Sequence, residues 1–201
     1  MREAHRVIVI PGIDGRVTPI SLTTAPWRFY GLKPVVYSMN WGDGKTEFPQ
    51  KLRDLGDVIK SFAADGDSVS LIGCSAGGSV AINAFFEQKD KVHRVINVCG
   101  PLRMGSQRGL NILGQAAKLN RQFRQSVELC ETNLENLSAE DLRKIMTVRA
   151  MFGDEVIPPD TNVLEGAYNT LVPTAEHIFT VGAALSFFSM PLIAFLKRTD
   201  S

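Results

Sequence analysis

Ser68-Val69-Ser70-Leu71-Ile72-Gly73-Cys74-Ser75-Ala76-Gly77-Gly78-Ser79 is the stretch on which the reading of this chain turns. Its first half is a short apolar run of the kind that forms a buried strand, and it stops at Gly73. A serine framed by small residues follows, and an apolar helical pattern opens at once with Val80, Ala81, Ala84 and Phe85. Gly73-x-Ser75-x-Gly77 between a strand and a helix is the nucleophile-elbow pattern. So sharp a turn strains the serine backbone and admits only very small residues two positions to either side. It aims the Ser75 Oγ out of the sheet edge and leaves the next backbone N–H, that of Ala76, at a helix start, where negative charge is stabilised. The same letters also suit a helix that merely begins with close-packed small residues, so the surrounding chain has to decide.

Outward from the elbow, strands and helices alternate. Val7-Ile8-Val9-Ile10 is a continuous β-branched run, as expected for a parallel strand buried on both faces. Pro11-Gly12-Ile13-Asp14-Gly15 ends it as a loop, and 26–30 predicts a short helix. Val35 to Met39 reads as a second strand, followed by an amphipathic helix with the stripe Leu52, Leu55, Ile59 and Phe62. Val92 to Val98 is a fourth strand, Met146 to Phe152 a fifth and Tyr168 to Val172 a sixth. Ser138-Ala139-Glu140-Asp141 carries the pattern of a capping box. This alternation predicts one α/β domain over the whole chain, with about six mostly parallel strands flanked by helices and joined by right-handed crossovers.

The bulk composition sets the class. With 201 residues the chain suits one domain with a full core. A formal charge of +1 gives no general attraction for nucleic acid or a charged membrane surface. Three cysteines, Cys74, Cys99 and Cys130, are an odd number in apolar surroundings and read as reduced thiols of a cytoplasmic protein. Four apolar residues before Pro11 are too few for a signal-peptide core. The scattered histidines suggest no metal cluster, and no cofactor is expected. Gly12-x-x-Gly15 is only part of a dinucleotide fingerprint, and no Gly-Lys-Ser/Thr sequence suggests a phosphate loop.

In a parallel sheet, function gathers at the carboxyl ends of the strands. Here that edge comprises the loops 11–15, 40–45, 74–76, 99–104, 153–159 and 173–178. A serine hydroxyl needs a base within hydrogen-bond reach, most often histidine. Of the three histidines, His5 and His93 stand at the amino ends of strands, which leaves His177. The base in turn needs an acceptor, and Asp154 follows the fifth strand, ahead of Glu155, Asp160 and Glu165. Ser75, Asp154 and His177 then occur in the chain order Ser…Asp…His, each just after a strand. A second oxyanion donor beside the Ala76 N–H is expected from the loop after the first strand, at Ile13 or else Asp14.

Together these pieces resemble the α/β-hydrolase superfamily over nearly the whole chain. The matching segments are Val7 to Gly15, Leu71 to Gly78, Gly153-Asp154-Glu155-Val156-Ile157-Pro158, Glu176-His177 and a closing helix at Pro191 to Leu196. Pro11 stands where many members carry histidine, and the first strands of larger members are missing, which makes this a minimal version. The resemblance implies a serine hydrolase, esterase or lipase-like, that cleaves an ester, thioester or amide through an acyl-Ser75 intermediate. Peptidase, thioesterase and acyltransferase variants share that machinery, and a non-catalytic binding protein could use the same scaffold. The expected partner is a small acyl substrate, with Asp14, Leu102 and Phe179 as candidates to contact it.

Residues 103–144 interrupt the strand rhythm as a helical insert. Its 103–135 part is read as a small cap with Leu110, Ile112 and Leu113 on one side and Arg103, Arg108, Lys118, Arg121 and Arg124 as a solvated face. Residues 178–196 are apolar over nearly the length of a membrane span, but Thr180, Gly182, Ser186, Ser189 and Pro191 interrupt the run. They are expected to pack on the sheet without stable membrane insertion, with Phe187 and Phe188 as further candidates for an acyl pocket.

Overall fold

The computed structural model describes residues 4–105 and 112–199. Six strands form one parallel sheet: β1 (His5–Ile10), β2 (Leu32–Val36), β3 (Ser68–Cys74), β4 (Val92–Val98), β5 (Ile145–Ala150) and β6 (Tyr168–Val172). Their spatial order is β2-β1-β3-β4-β5-β6. The elbow strand β3 therefore lies between β1 and β4, with Ile10 level with Gly73. β5 and β6 are neighbours, so the loops holding Asp154 and His177 emerge side by side.

Two apolar layers cover the sheet because alternate residues of each strand face opposite ways. Ile8, Ile10 and Leu71 meet α2 (Phe48–Ala64), α3 (Gly77–Glu87) and α5 (Arg121–Leu134) through Leu52, Leu55, Ile59, Val80, Phe85, Phe123 and Val127. Val7, Val9, Ile72, Ile96 and Val98 meet α1 (Val17–Thr24), a 3-10 helix at Ala25–Tyr30, α8 (His177–Leu185) and α9 (Met190–Leu196) through Ile20, Trp27, Leu185, Leu192 and Phe195. All four residues Val7 to Ile10 are fully buried, as a strand covered on both faces requires.

Several boundaries differ from the pattern reading. The second strand is Leu32–Val36 where Val35 to Met39 was expected. It forms the sheet edge, where Pro34 costs no ladder bond that a neighbour needs. Beyond it, Met39 and Trp41 turn into the core, and the buried Lys51 ammonium donates to the carbonyls of Met39 and Asn40 at 2.7 Å each and to Asp43 at 2.8 Å. That clamp spends all three ammonium donors on one loop. The fifth strand ends at Ala150, two residues early, the short helix α7 (Pro159–Asn162) follows it, and neither α7 nor α1 has a counterpart in the sequence pattern.

The insert contains α4 (Ile112–Leu119), α5 and α6 (Ala139–Arg143), the last opened by the capping box between Ser138 and Asp141. α5 belongs to the helical layer. Its Ser126 hydroxyl lies 2.7 Å from that of Ser79, and the Asn83 amide donates to the Ser126 carbonyl at 2.9 Å. Arg108 and Leu110 lie outside the described residues, as do the side chains of Ile112 and Leu113. Arg121 and Arg124 pair with Glu47 and Glu128 on the surface. Among the described residues, no single helix is long and apolar enough to cross a membrane; α8 and α9 together reach that length but are bent by 60°. Leu192, Ile193, Phe195 and Leu196 of α9 are buried.

Candidate active site

The turn from β3 into α3 holds Ser75 at a φ of 52°, in the left-handed region that side-chain-bearing residues rarely occupy. Its neighbours lock that conformation: the Ser75 N–H donates to the Val98 carbonyl at 2.9 Å and its carbonyl accepts the Gly78 N–H at 2.8 Å. A Cβ on Gly73 would overlap the Gly77 carbonyl, and one on Gly77 would overlap that of Ile10. Glycine at both positions is thus a matter of space. From β4, the buried Asn97 amide braces the turn by donating to the Gly100 carbonyl at 2.8 Å and accepting the Gly100 N–H at 3.0 Å.

His177 and Asp154 converge on this serine. His177 Nε2 lies 2.8 Å from Ser75 Oγ, and His177 Nδ1 lies 2.8 Å from Asp154 Oδ2. The histidine and aspartate side chains are only 7% and 4% exposed, so water competes little for either contact. A carboxylate can only accept, so the proton belongs on Nδ1 and Nε2 is left to accept from the Ser75 hydroxyl. Asp154 cannot swing away, because its Oδ1 also accepts the Val156 and Ile157 N–H groups at 2.9 Å each.

Two acidic residues that pattern reading did not assign hold the histidine. Glu155 accepts the His177 backbone N–H with both oxygens, at 3.1 and 3.3 Å. Glu176, at a φ of 74°, caps α8 by accepting the Phe179 N–H at 2.8 Å. The doublet Glu176-His177 at a helix start was the available signal, since a carboxylate there satisfies free N–H groups.

The loop after β1 presses on Ser75. A Cβ on Gly12 would lie 3.1 Å from the Ser75 Cβ and 3.4 Å from its Oγ. The loop closes through a 3.0 Å bond from the Gly15 N–H to the Gly12 carbonyl. Ile13 follows at the cavity wall, and Ala76 is the residue that caps α3. Asp14 lies at the cavity margin, paired with Arg16.

Ser75 and His177 open into a groove of about 380 Å³ walled by Ile13, Pro19, Ile20, Ile178, Val181 and Leu185. Its apolar character comes from α1 and α8. Cys74 also reaches it, but burial pushes that thiol up to about 12, which keeps it protonated and poorly nucleophilic. Two expected substrate contacts lie elsewhere. Leu102 is fully buried in the core, its N–H bonded to the Thr161 carbonyl at 2.8 Å. Phe179 is 60% exposed and falls one residue past the wall formed by Ile178 and Val181; Phe187 and Phe188 also lie outside it. None of the described residues of 112–144 lines the groove. A larger cavity, about 500 Å³, opens at the opposite sheet edge among Arg94, Glu140, Arg143, Lys144, Tyr168 and Arg198, far from Ser75. Among the described residues, no three His, Cys, Asp or Glu side chains are placed to hold a metal ion.

No protein-family model matches the sequence, and no curated protein matches it. Solved structures do. A structure from the metagenome-derived lipolytic enzymes LipS and LipT superposes with a TM-score of 0.68 at 12% identity, over 98% of this chain and 95% of that one. A soluble variant of monoglyceride lipase from Saccharomyces cerevisiae gives 0.66 at 15% identity, over 100% and 89%. Est1E from Butyrivibrio proteoclasticus gives 0.65 at 18% identity, over 96% and 90%. At such identity the likeness establishes the fold, and the chain has the α/β-hydrolase fold.

Proposed function

We propose that this chain is a serine hydrolase that cleaves an ester, or a related acyl bond, of a small or medium substrate through an acyl-Ser75 intermediate. The observation that carries the proposal is the unbroken relay from Asp154 through His177 to Ser75, with 2.8 Å at each step, at the head of an apolar groove. Ser75 Oγ attacks the substrate carbonyl while His177 Nε2 removes its proton, and Asp154 stabilises the imidazolium so formed. The tetrahedral oxyanion meets the backbone N–H groups of Ala76 and Ile13, each worth roughly 3 kcal/mol in the transition state. Collapse expels the leaving group, which takes the proton from His177. Water then attacks the acyl-enzyme with His177 again as base, releasing the acid and free Ser75.

The fold neighbours lend support, since those named are lipolytic enzymes and a monoglyceride lipase. A reducing, cytoplasmic setting belongs to the same proposal, supported by three buried cysteines that form no disulfide. The test is labelling by a fluorophosphonate probe. Wild-type protein should be labelled stoichiometrically and Ser75→Ala not at all, with both variants equally folded by circular dichroism. A folded wild-type protein that resists the probe would sink the proposal.

A further inference from the structure

Two helices leave the candidate site side by side, and each turns one stripe to the groove. On α8 the stripe is Ile178, Val181, Gly182 and Leu185; facing it are Arg16, Pro19, Ile20 and Thr23, at the head of α1 and along it. Both follow the i, i+3, i+4, i+7 spacing of a single helix face. Gly182 is the anomaly. A glycine inside a helix costs stability relative to alanine. Gly182 does not have the positive φ that would demand glycine, and a Cβ placed there would meet no atom within 4 Å. Neither the backbone nor a packed neighbour requires it, so the space it leaves belongs to the groove.

Leu185 is the most deeply buried residue of the α8 wall. Leu185 is 1% exposed, and its carbonyl accepts the indole N–H of Trp27, itself 1% exposed, at 3.0 Å. From Ile178 to Leu185 the helix advances about 10 Å at ~1.5 Å per residue. An extended alkyl chain advances about 1.3 Å per carbon, so that length holds about eight carbons.

We propose that Gly182 is a specificity-determining residue: its missing side chain keeps open a blind groove between α1 and α8 that takes a medium-length acyl chain, with Leu185 as the stop. This rests on the serine hydrolase proposal. A blind groove suits the part of the substrate retained in the acyl-enzyme, whereas the leaving group must depart through an open side.

The experiment measures kcat/KM on nitrophenyl esters from acetate to dodecanoate, alongside a second series of acetates with lengthening alcohols. Wild-type protein should favour acyl chains of about six to eight carbons. In Gly182→Leu the octanoate-to-acetate ratio should fall by at least about tenfold, the scale of a few lost methylene contacts. Gly182→Ala should lose part of that ratio while its melting temperature rises by about 2 °C, because the helix interior no longer carries a glycine. Leu185→Ala should move the optimum two or three carbons longer. An unchanged acyl profile in Gly182→Leu, equal loss on every ester, sensitivity to alcohol length only, or a lowered melting temperature in Gly182→Ala would each overturn the assignment of the groove. If wild-type protein takes the fluorophosphonate and only these profiles fail, the hydrolase proposal stands without this one. If wild-type protein neither takes the probe nor cleaves any ester, both fall.

Discussion

Two serine–histidine pairs occupy the strand Ser68–Cys74 and the turn that ends it. Near its start, His5 Nε2 lies 2.8 Å from Ser70 Oγ; just past its end, His177 Nε2 lies 2.8 Å from Ser75 Oγ. The distance is the same and the surroundings are not. Ser70 is fully buried within the strand, at a register shift in its pairing with β4, whereas Ser75 stands in a left-handed turn beside the groove. His177 has a carboxylate at its second nitrogen; the ring of His5 faces the edge of His93 at 5.5 Å. Burial, then the charges of His93 and Lys197, depress the His5 pKa to about 4. That ring resists becoming an imidazolium, the state through which a general base must pass. A serine–histidine hydrogen bond is therefore ordinary structural material. The carboxylate behind it, the left-handed turn and the groove make the second pair different.

The largest effect expected from this contrast is at Asp154. Asp154→Asn keeps the shape but permits the wrong histidine tautomer, and kcat on a nitrophenyl ester should fall about 10³- to 10⁴-fold. Ser70→Ala should leave that rate within experimental error; a comparable loss there would erase the distinction between the two pairs. A smaller effect is expected at Glu155, which positions the His177 backbone. Glu155→Ala should lower kcat about tenfold with little change in KM, through misplacement of the base. Glu155→Gln retains an acceptor and should restore most of the rate.

Strain comes next. Ser75→Gly relieves the positive φ that Ser75→Ala keeps, so the glycine variant should be more stable in urea unfolding by about 1 kcal/mol. Equal stabilities would remove strain from the list of differences. The smallest effect concerns His5 and pH. Its unfolded form binds a proton near pH 6.5, but the folded form does so only near pH 4. The unfolded state then holds more protons, so the contribution of the neutral ring is complete above pH 6.5 and is lost as pH falls toward 4. Urea midpoints across that window should slope downward in wild-type protein, and His5→Gln should flatten the slope.

What could be read from the letters was local or countable. The elbow, the strands Val92–Val98 and Tyr168–Val172 and the Ser138 capping box announce themselves within a few residues. Three histidines left few choices of base. The groove was harder because its walls depend on helix phase. α1 carries Pro19 and several β-branched residues and shows little periodicity, so the sequence gives no signal for that wall. On the other wall, a rotation of one residue separates Ile178, which lines the groove, from Phe179, which does not. Leu102 shows the same difficulty in another form: it follows a strand at the functional edge, yet its side chain turns into the core. The anchoring of His177 by Glu155 depends on the left-handed backbone of Glu176, which no spacing rule indicates.

The relay joins residues far apart along the chain. Ser75 and His177 are 102 positions apart, and the Trp27–Leu185 bond beneath the α8 wall spans 158. A polypeptide leaving the ribosome amino end first therefore exposes Ser75 long before His177 exists. At roughly 5–20 residues per second, that interval lasts about 5 to 20 seconds. On the proposed mechanism Ser75 is an unactivated alcohol throughout synthesis, so the nascent chain should not react with esters. The relay forms at one moment, when the segment carrying His177 docks beside the loop that holds Asp154.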